Sequence, residues 1–263
     1  PHARGREVHL TMTNEEALFR YAVRMGDNSL VLGHRLSEWC GHGPQLEEDI
    51  AQANIALDLI GQARNYLTYA GEIEGKGRSE DDLAYLRTDR EYLNVLLTEL
   101  PKGDYARTIA RSFLFDAFHL PLQQALTKSS DERLKGIAEK AVKEVTYHLR
   151  HSSEWLVLFG DGTAKSHDLA QDALDDLWRY TGELFIPDEA EEILAKSGVA
   201  PELSDIKKEW NATIDRTLKE AELKRPADGW MASGGKKGVH TEHLGPMLAE
   251  MQTLQRTFPG AEW

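Results

Sequence analysis

A single cysteine, Cys40, stands in 263 residues. That excludes an internal disulfide and fits a reducing compartment, so the expected location is the cytoplasm. Long apolar runs are also missing. No stretch approaches the ~18 residues of a membrane span, and no membrane partner is expected. Positive charge is in deficit: 31 Lys and Arg face 44 Asp and Glu, for a formal net charge of −13. The cations are scattered and form no tail, which excludes a broad basic surface for nucleic acid or anionic lipid. Strand-like alternation, internal repeats and low-complexity segments are absent. So are Gly-x-Ser-x-Gly and Cys-x-x-Cys.

Helical periodicity fills the space these absences leave. Pro1 to Thr11 is basic and polar without an apolar core, so it is no signal peptide. Residues 1–11 are read as leader or appended sequence before Met12-Thr13-Asn14, and residues 12–263 as a single helical domain. Asn14 is expected to cap a first helix running to about Cys40. Gly41-His42-Gly43-Pro44 breaks it, and Pro44 opens a second helix to about Gly71, with Glu47, Glu48 and Asp49 at its positive end. A glycine-rich loop from Gly71 to Ser79 follows. Ser79 then starts a helix carrying Glu80, Asp81 and Asp82. Pro101-Lys102-Gly103-Asp104 is a turn. Long helices are expected from about Tyr105 to Lys128, and from a cap at Ser130 or Asp131 to about Phe159. Shorter ones fit 167–185, 188–197, 202–223 and 246–257, with 226–241 a long loop. The class is all-α, a bundle of long helices.

On the second helix Ile50, Ala53, Ile55, Ala56, Leu57, Leu59, Ile60, Ala63 and Leu67 cover most of the circumference, which predicts burial on nearly all sides. Asn54, Asp58, Gln62 and Asn65 then form a polar stripe that must find partners inside the bundle.

The candidate chemistry is a degraded metal motif. Helical di-iron proteins use Glu-x-x-His on two helices and one carboxylate on each of two others. Here Asp58-Leu59-Ile60-Gly61 keeps a carboxylate without the histidine. Val145-Thr146-Tyr147-His148 keeps the histidine without the glutamate. Glu38, Asp58, Asp116 and His148 supply one polar residue from each of four long helices. Two irons need four carboxylates and two histidines, and Gly61 and Val145 stand where two of those ligands belong. The expectation is therefore no catalytic residue and no bound metal or cofactor. A salt-bridged plug is expected instead, with Arg35 beside Glu38, and Glu144 within reach of His148. Gly234-Gly235-Lys236-Lys237-Gly238 lacks the spacing of a nucleotide-binding P-loop. It is a basic loop in which Lys236 and Lys237 are candidates for contact with an anion or a coenzyme A tail.

Several long blocks resemble one family closely: Gly26-Asp27-Asn28; Glu38-Trp39-Cys40-Gly41-His42; Asn54 through Asn65; Gly234 through Gly238; and His240 through Met251. They are similar to the C subunits of the phenylacetyl-CoA 1,2-epoxidase family, and the resemblance runs from Met12 to Trp263. It implies a ferritin-like fold and a role in aerobic phenylacetate breakdown. It also implies three partners: a catalytic A subunit that carries the di-iron centre, a bridging B subunit, and a reductase drawing on NADPH. In the A subunit both Glu-x-x-His motifs are intact, so the resemblance implies a diverged, non-catalytic structural subunit. Two other readings stay open: an independent metal-dependent oxidase built on Glu38, Asp58, Asp116 and His148, and an acyl-CoA-binding protein without chemistry.

Overall fold

The computed structural model describes residues 12–261, so the reading of residues 1–11 lies outside the described residues. Four long helices dominate. Helix α1 (Asn14–Ser37) runs into α2 (Leu46–Glu74). Short helices α3 (Glu80–Tyr85) and α4 (Leu96–Glu99) lead to the second long pair, α5 (Tyr105–Leu126) and α6 (Glu132–Gly160). Then come α7 (Ala164–Trp178), α8 (Glu189–Lys196), α9 (Leu203–Glu220), α10 (Leu244–Met251) and α11 (Thr253–Thr257). Single 3₁₀ turns occur at Asp89–Glu91, Gly182–Phe185 and Gly235–Lys237. No strand occurs among the described residues. This is the all-α, ferritin-like bundle, with extra C-terminal helices. α7 and α9 pack on α5, and α8 packs on α1.

The caps explain most boundaries. Thr13, not Asn14, caps α1: its hydroxyl accepts from the Glu16 N–H while the Glu16 carboxylate accepts from the Thr13 N–H. The helix stops at Ser37, before Cys40. Helix α2 starts at Leu46, past Pro44, and runs beyond Gly71 to Glu74, where Gly75 takes the left-handed conformation that ends helices cheaply. Asp104 and Asp131 cap α5 and α6 through their side chains. The last expected helix is two short ones, and the loop 226–241 contains the turn at Gly235–Lys237.

Helices α1 and α2 approach closely because α1 offers glycine at the contact. A Cβ on Gly26 would stand 2.7 Å from Leu67, and one on Gly33 would stand 3.2 Å from the Ala56 carbonyl. The pair is therefore antiparallel, with Gly33 level with Ala56 and Leu59. From Tyr21 to Leu36, α1 is buried everywhere except the partly covered His34.

The expected all-round burial belongs to α1 rather than α2. On α2 the inward residues are Gln52, Ile55, Ala56, Leu59, Gln62, Ala63, Tyr66 and Leu67, while Ile50, Leu57 and Ile60 face outward. Apolar periodicity reports a face that avoids water and does not say what covers it. The polar stripe divides for the same reason. Gln62 is buried, Asp58 and Asn65 are half-buried, and Asn54 is exposed.

Buried charge holds the non-helical segments against α1. Asp27 is fully buried and pairs with Arg87 at 3.0 Å, and it accepts from the Leu93 N–H at 2.8 Å. Asn28 accepts from the Val95 N–H at 2.8 Å. Arg24 pairs with Asp188 and with Glu191, the latter at 2.9 Å. Removing one partner of such a pair strands the other without water. Asp27→Ala should therefore cost roughly 3–5 kcal/mol in urea denaturation. A loss under about 1 kcal/mol would show that this pair does not anchor the 87–95 segment.

Candidate functional site

The interior between α2, α5 and α6 holds the polar groups, and it arranges them as separate pairs. His148, on the inner face of α6 with Ala141, Val145 and Ser152, directs Nε2 at Asp58 Oδ2, 3.1 Å away. The ring is fully buried, and its Nδ1 has no partner. Asp58 lies at the edge, its side chain 37% exposed. On α5, Asp116 is buried and receives the Ser152 hydroxyl at 2.8 Å. Glu144 accepts from Gln62 Nε2 at 2.9 Å and does not pair with His148 as expected, because Asp58 takes that place.

The other expected ligand positions lie apart. Glu38 follows the last turn of α1, where Arg35 holds its carboxylate at 2.7 Å. Since Gly33 is already level with Ala56 and Leu59, Glu38 sits beyond the Asp58–His148 level. It makes no hydrogen bond to Asp58, Asp116 or His148. Gly61 is on the outer side of α2, where an added Cβ would meet nothing within 4 Å. The inward α2 residues at this level are Leu59 and Gln62. Val145 is buried one turn before His148, so an apolar side chain occupies the α6 position that a glutamate ligand would need.

Sequence reasoning misses two buried histidines. His119 lies one turn after Asp116, fully enclosed. Its Nε2 stands 2.9 Å from Gln123 Nε2, whose Oε1 accepts from the Tyr66 hydroxyl at 2.8 Å. Burial pushes the His119 pKa down to about 3, so it is neutral, and this bonding leaves its proton on Nδ1, which has no partner. His151 Nε2 meets Glu48 at 2.9 Å, and Tyr105 donates to the same carboxylate. For His119, the i, i+3 spacing from Asp116 and the apolar neighbours of both are the available signals.

These donors do not fit a two-metal centre. Among the described residues no group of three or more His, Cys, Asp or Glu is placed to hold a metal ion. Below about pH 6 the arrangement favours a proton on Asp116. Burial raises the Asp116 pKa to about 6, against the opposing pull of His148 and Ser152. When Asp116 is protonated it donates to Ser152 Oγ, and that hydroxyl donates to the His148 carbonyl, 3.0 Å away.

The Gly234–Gly238 loop packs as structure. Glu183 accepts from the N–H groups of Gly234 (2.7 Å) and Leu96 (2.8 Å). A Cβ on Gly235 would stand 2.2 Å from the Asn94 carbonyl. Lys236 is buried, with Nζ 3.0 Å from Glu191 and 3.0 Å from the Ile186 carbonyl. Lys237 is exposed and lines a cleft of about 550 Å³ with Arg20, Ile186 and Glu189. No helix among the described residues is long and apolar enough to cross a membrane.

A ferritin-like bundle of long helices defines the class. Comparison with known proteins narrows it. The model of the family "Phenylacetic acid catabolic protein" matches residues 6–263. The C subunit of 1,2-phenylacetyl-CoA epoxidase from Escherichia coli (strain K12) is 50% identical over 246 residues, 94% of this chain and 99% of the other. The chain belongs to the phenylacetic acid catabolic protein family.

A carboxyl whose native pKa lies above its unfolded value binds more protons folded than unfolded. Its contribution to stability is present at low pH and falls as pH rises from about 4 to about 6. Asp116→Asn removes that penalty and keeps an acceptor for Ser152. At pH 7 the variant should be more stable than the parent by roughly 2–3 kcal/mol, and the difference should vanish below pH 4. An equal difference at both pH values would refute the assignment.

Proposed function

We propose that this chain is the non-catalytic structural subunit of a phenylacetyl-CoA 1,2-epoxidase in aerobic phenylacetate catabolism. It pairs with a catalytic A subunit that carries the di-iron centre, within an assembly completed by a bridging B subunit and an NADPH-dependent reductase. The observation that carries this reading is the state of the interior where the ligands of a di-iron bundle converge. Leu59, Gln62 and Val145 face inward at that level, and the remaining donors are spent in pairs, Asp58 with His148 and Asp116 with Ser152. Such an interior keeps the helices rigid and offers no place for oxygen activation. The near full-length match to an epoxidase C subunit supports membership of the same kind of assembly. The chain itself binds no cofactor in this reading. Of the two loop lysines, Lys236 is buried and Lys237 is exposed, which supports Lys237 as the candidate for contact with an anionic coenzyme tail.

Reconstitution tests the reading. With reductase, NADPH, oxygen and phenylacetyl-CoA, this chain alone should form no epoxide. Adding it to the catalytic subunit should raise that subunit's soluble yield and its turnover. Epoxide formation without the catalytic subunit would overturn the proposal.

A further inference from the structure

Residues 233–243 form a strap laid across residues 90–99. A Cβ on Gly235 would stand 2.2 Å from the Asn94 carbonyl, and one on Gly238 would stand 2.2 Å from the Arg90 carbonyl. Glu183 and Glu191 hold the first half of the strap through Gly234 and Lys236. The second half is fastened at His240. This side chain is 4% exposed and lies between a carbonyl and a fully buried carboxylate. Nε2 stands 2.9 Å from the Tyr92 carbonyl, and Nδ1 stands 2.7 Å from Glu99 Oε2. The far side is itself fixed, because Leu93 and Val95 donate their N–H groups to Asp27 and Asn28 on α1.

These contacts fix the proton count. A carbonyl only accepts, so Nε2 carries a proton. A bare Nδ1 and a carboxylate oxygen are both acceptors, so a second proton lies between them. Glu99 also accepts from Asn94 Nδ2 at 2.8 Å, from the Thr241 N–H at 2.7 Å and from the Thr241 hydroxyl at 2.8 Å. With three other donors on that carboxylate, the shared proton belongs on the ring, and His240 is an imidazolium. Burial pulls the His240 pKa down, but the bond to Glu99, its charge and the Tyr92 carbonyl outweigh burial and hold it above the usual 6.5. Of the other charges around the ring, Asp27 favours the cation and is itself paired with Arg87. Arg35 donates to the Glu99 carbonyl, and Arg90 to the Gly238 carbonyl at 3.4 Å. Glu242 and His243 face each other at 3.7 Å with their side chains in water.

Taking the shared proton away turns the fastening into a repulsion. A neutral ring would aim a lone pair at the carboxylate where water does not reach. The only other polar ties on this half of the strap are the Thr241 bonds to the same carboxylate and the Arg35 bond to the His243 carbonyl, at 3.1 Å. Beyond it Leu244, Met247 and Leu248 are buried in an apolar cluster with Val23, Leu30 and Val31, which confines an opening to the strap. We propose that residues 239–243 are a proton-held strap, closed while His240 is charged and opening locally when Nδ1 loses its proton. The adjoining stretch, Gly234 with Lys236 and Lys237, lines the 550 Å³ cleft, so opening loosens one wall of that cleft.

The test is amide hydrogen exchange of the full chain across a pH series, each rate divided by the intrinsic rate at that pH. Thr241 is the reporter, since its N–H donates to Glu99. A group whose native pKa is raised stabilises the closed state fully below its open-state value, and that stability is lost as pH rises through the native value. Thr241 protection should therefore fall above about pH 6.5, by up to about tenfold per pH unit, and then level off. At every pH it should stay below that of the buried α5 amides, because the opening is local. His240→Gln keeps a donor and loses the titrating proton. In that variant Thr241 should exchange faster than in the parent at about pH 6 and lose this pH dependence. Parent protection that is flat from about pH 6 to about pH 9, or that equals that of the α5 amides throughout, overturns the proposal. So does the same fall in His240→Gln. If the variant does not fold, the parent series decides alone.

Discussion

Everything in this bundle hangs on charges buried in one helix. α1 is surrounded along most of its length, yet it carries Arg24, Asp27, Asn28 and Arg35 inside. Each meets a segment that short helices and loops alone would leave loosely held. Asp27 and Asn28 fix the residues before α4. Arg24 fixes Asp188 and Glu191 at the start of α8, and through Glu191 it reaches Lys236. Arg35 donates to the Glu99 carbonyl at 3.0 Å. Glu99, itself fully buried, accepts from Thr241 and pairs with His240. Such pairs add less net stability than an apolar core of equal volume, because each charge must shed its water. Their contribution is geometric: a misplaced loop would strand a charge, so one arrangement of the loops is strongly preferred.

The same logic explains how the interior polar groups are arranged. A carboxylate cannot stay ionised and unpaired in a dry bundle. Burial makes Asp116 hold its proton up to about pH 6 and makes His119 give its proton up. Asp58 keeps part of its surface in water and leans on His148. Each group finds its own nearest partner, so the direct hydrogen bonds form pairs, although His148 lies close enough to act on both Asp116 and His119. The carboxylate retained at Asp58 and the histidine at His148 bond each other, while Gly61 borders open space and Glu38 pairs with Arg35 past the end of α1.

The long helices are legible in the sequence because caps and periodicity agree over many turns, and the errors fall where two neighbours compete. Thr13 wins the cap from Asn14 because Glu16 completes a reciprocal pair with it. The degenerate motifs are legible as spacings, but spacing along a helix does not fix which way it faces, and that decides Gly61. The apolar residues of α2 read as core because apolar side chains left exposed on one face have the same composition as those already covered. The buried charges of α1 are the hardest to foresee. Gly26-Asp27-Asn28 sits inside an otherwise apolar helix, and only the loops folded against it show what Asp27 and Asn28 bind. Lys236 reads as a basic loop residue for the same reason, its partner Glu191 being remote in sequence.

The central claim is that this chain supports an oxygenase without containing its metal centre. The most direct measurement is the iron content of the purified chain after anaerobic loading with ferrous iron and desalting, read with its absorption spectrum on exposure to oxygen. The account predicts iron well below one atom per chain and no oxygen-dependent band. Two irons per chain, with a band that forms on oxygenation and is lost in His148→Ala, would contradict it.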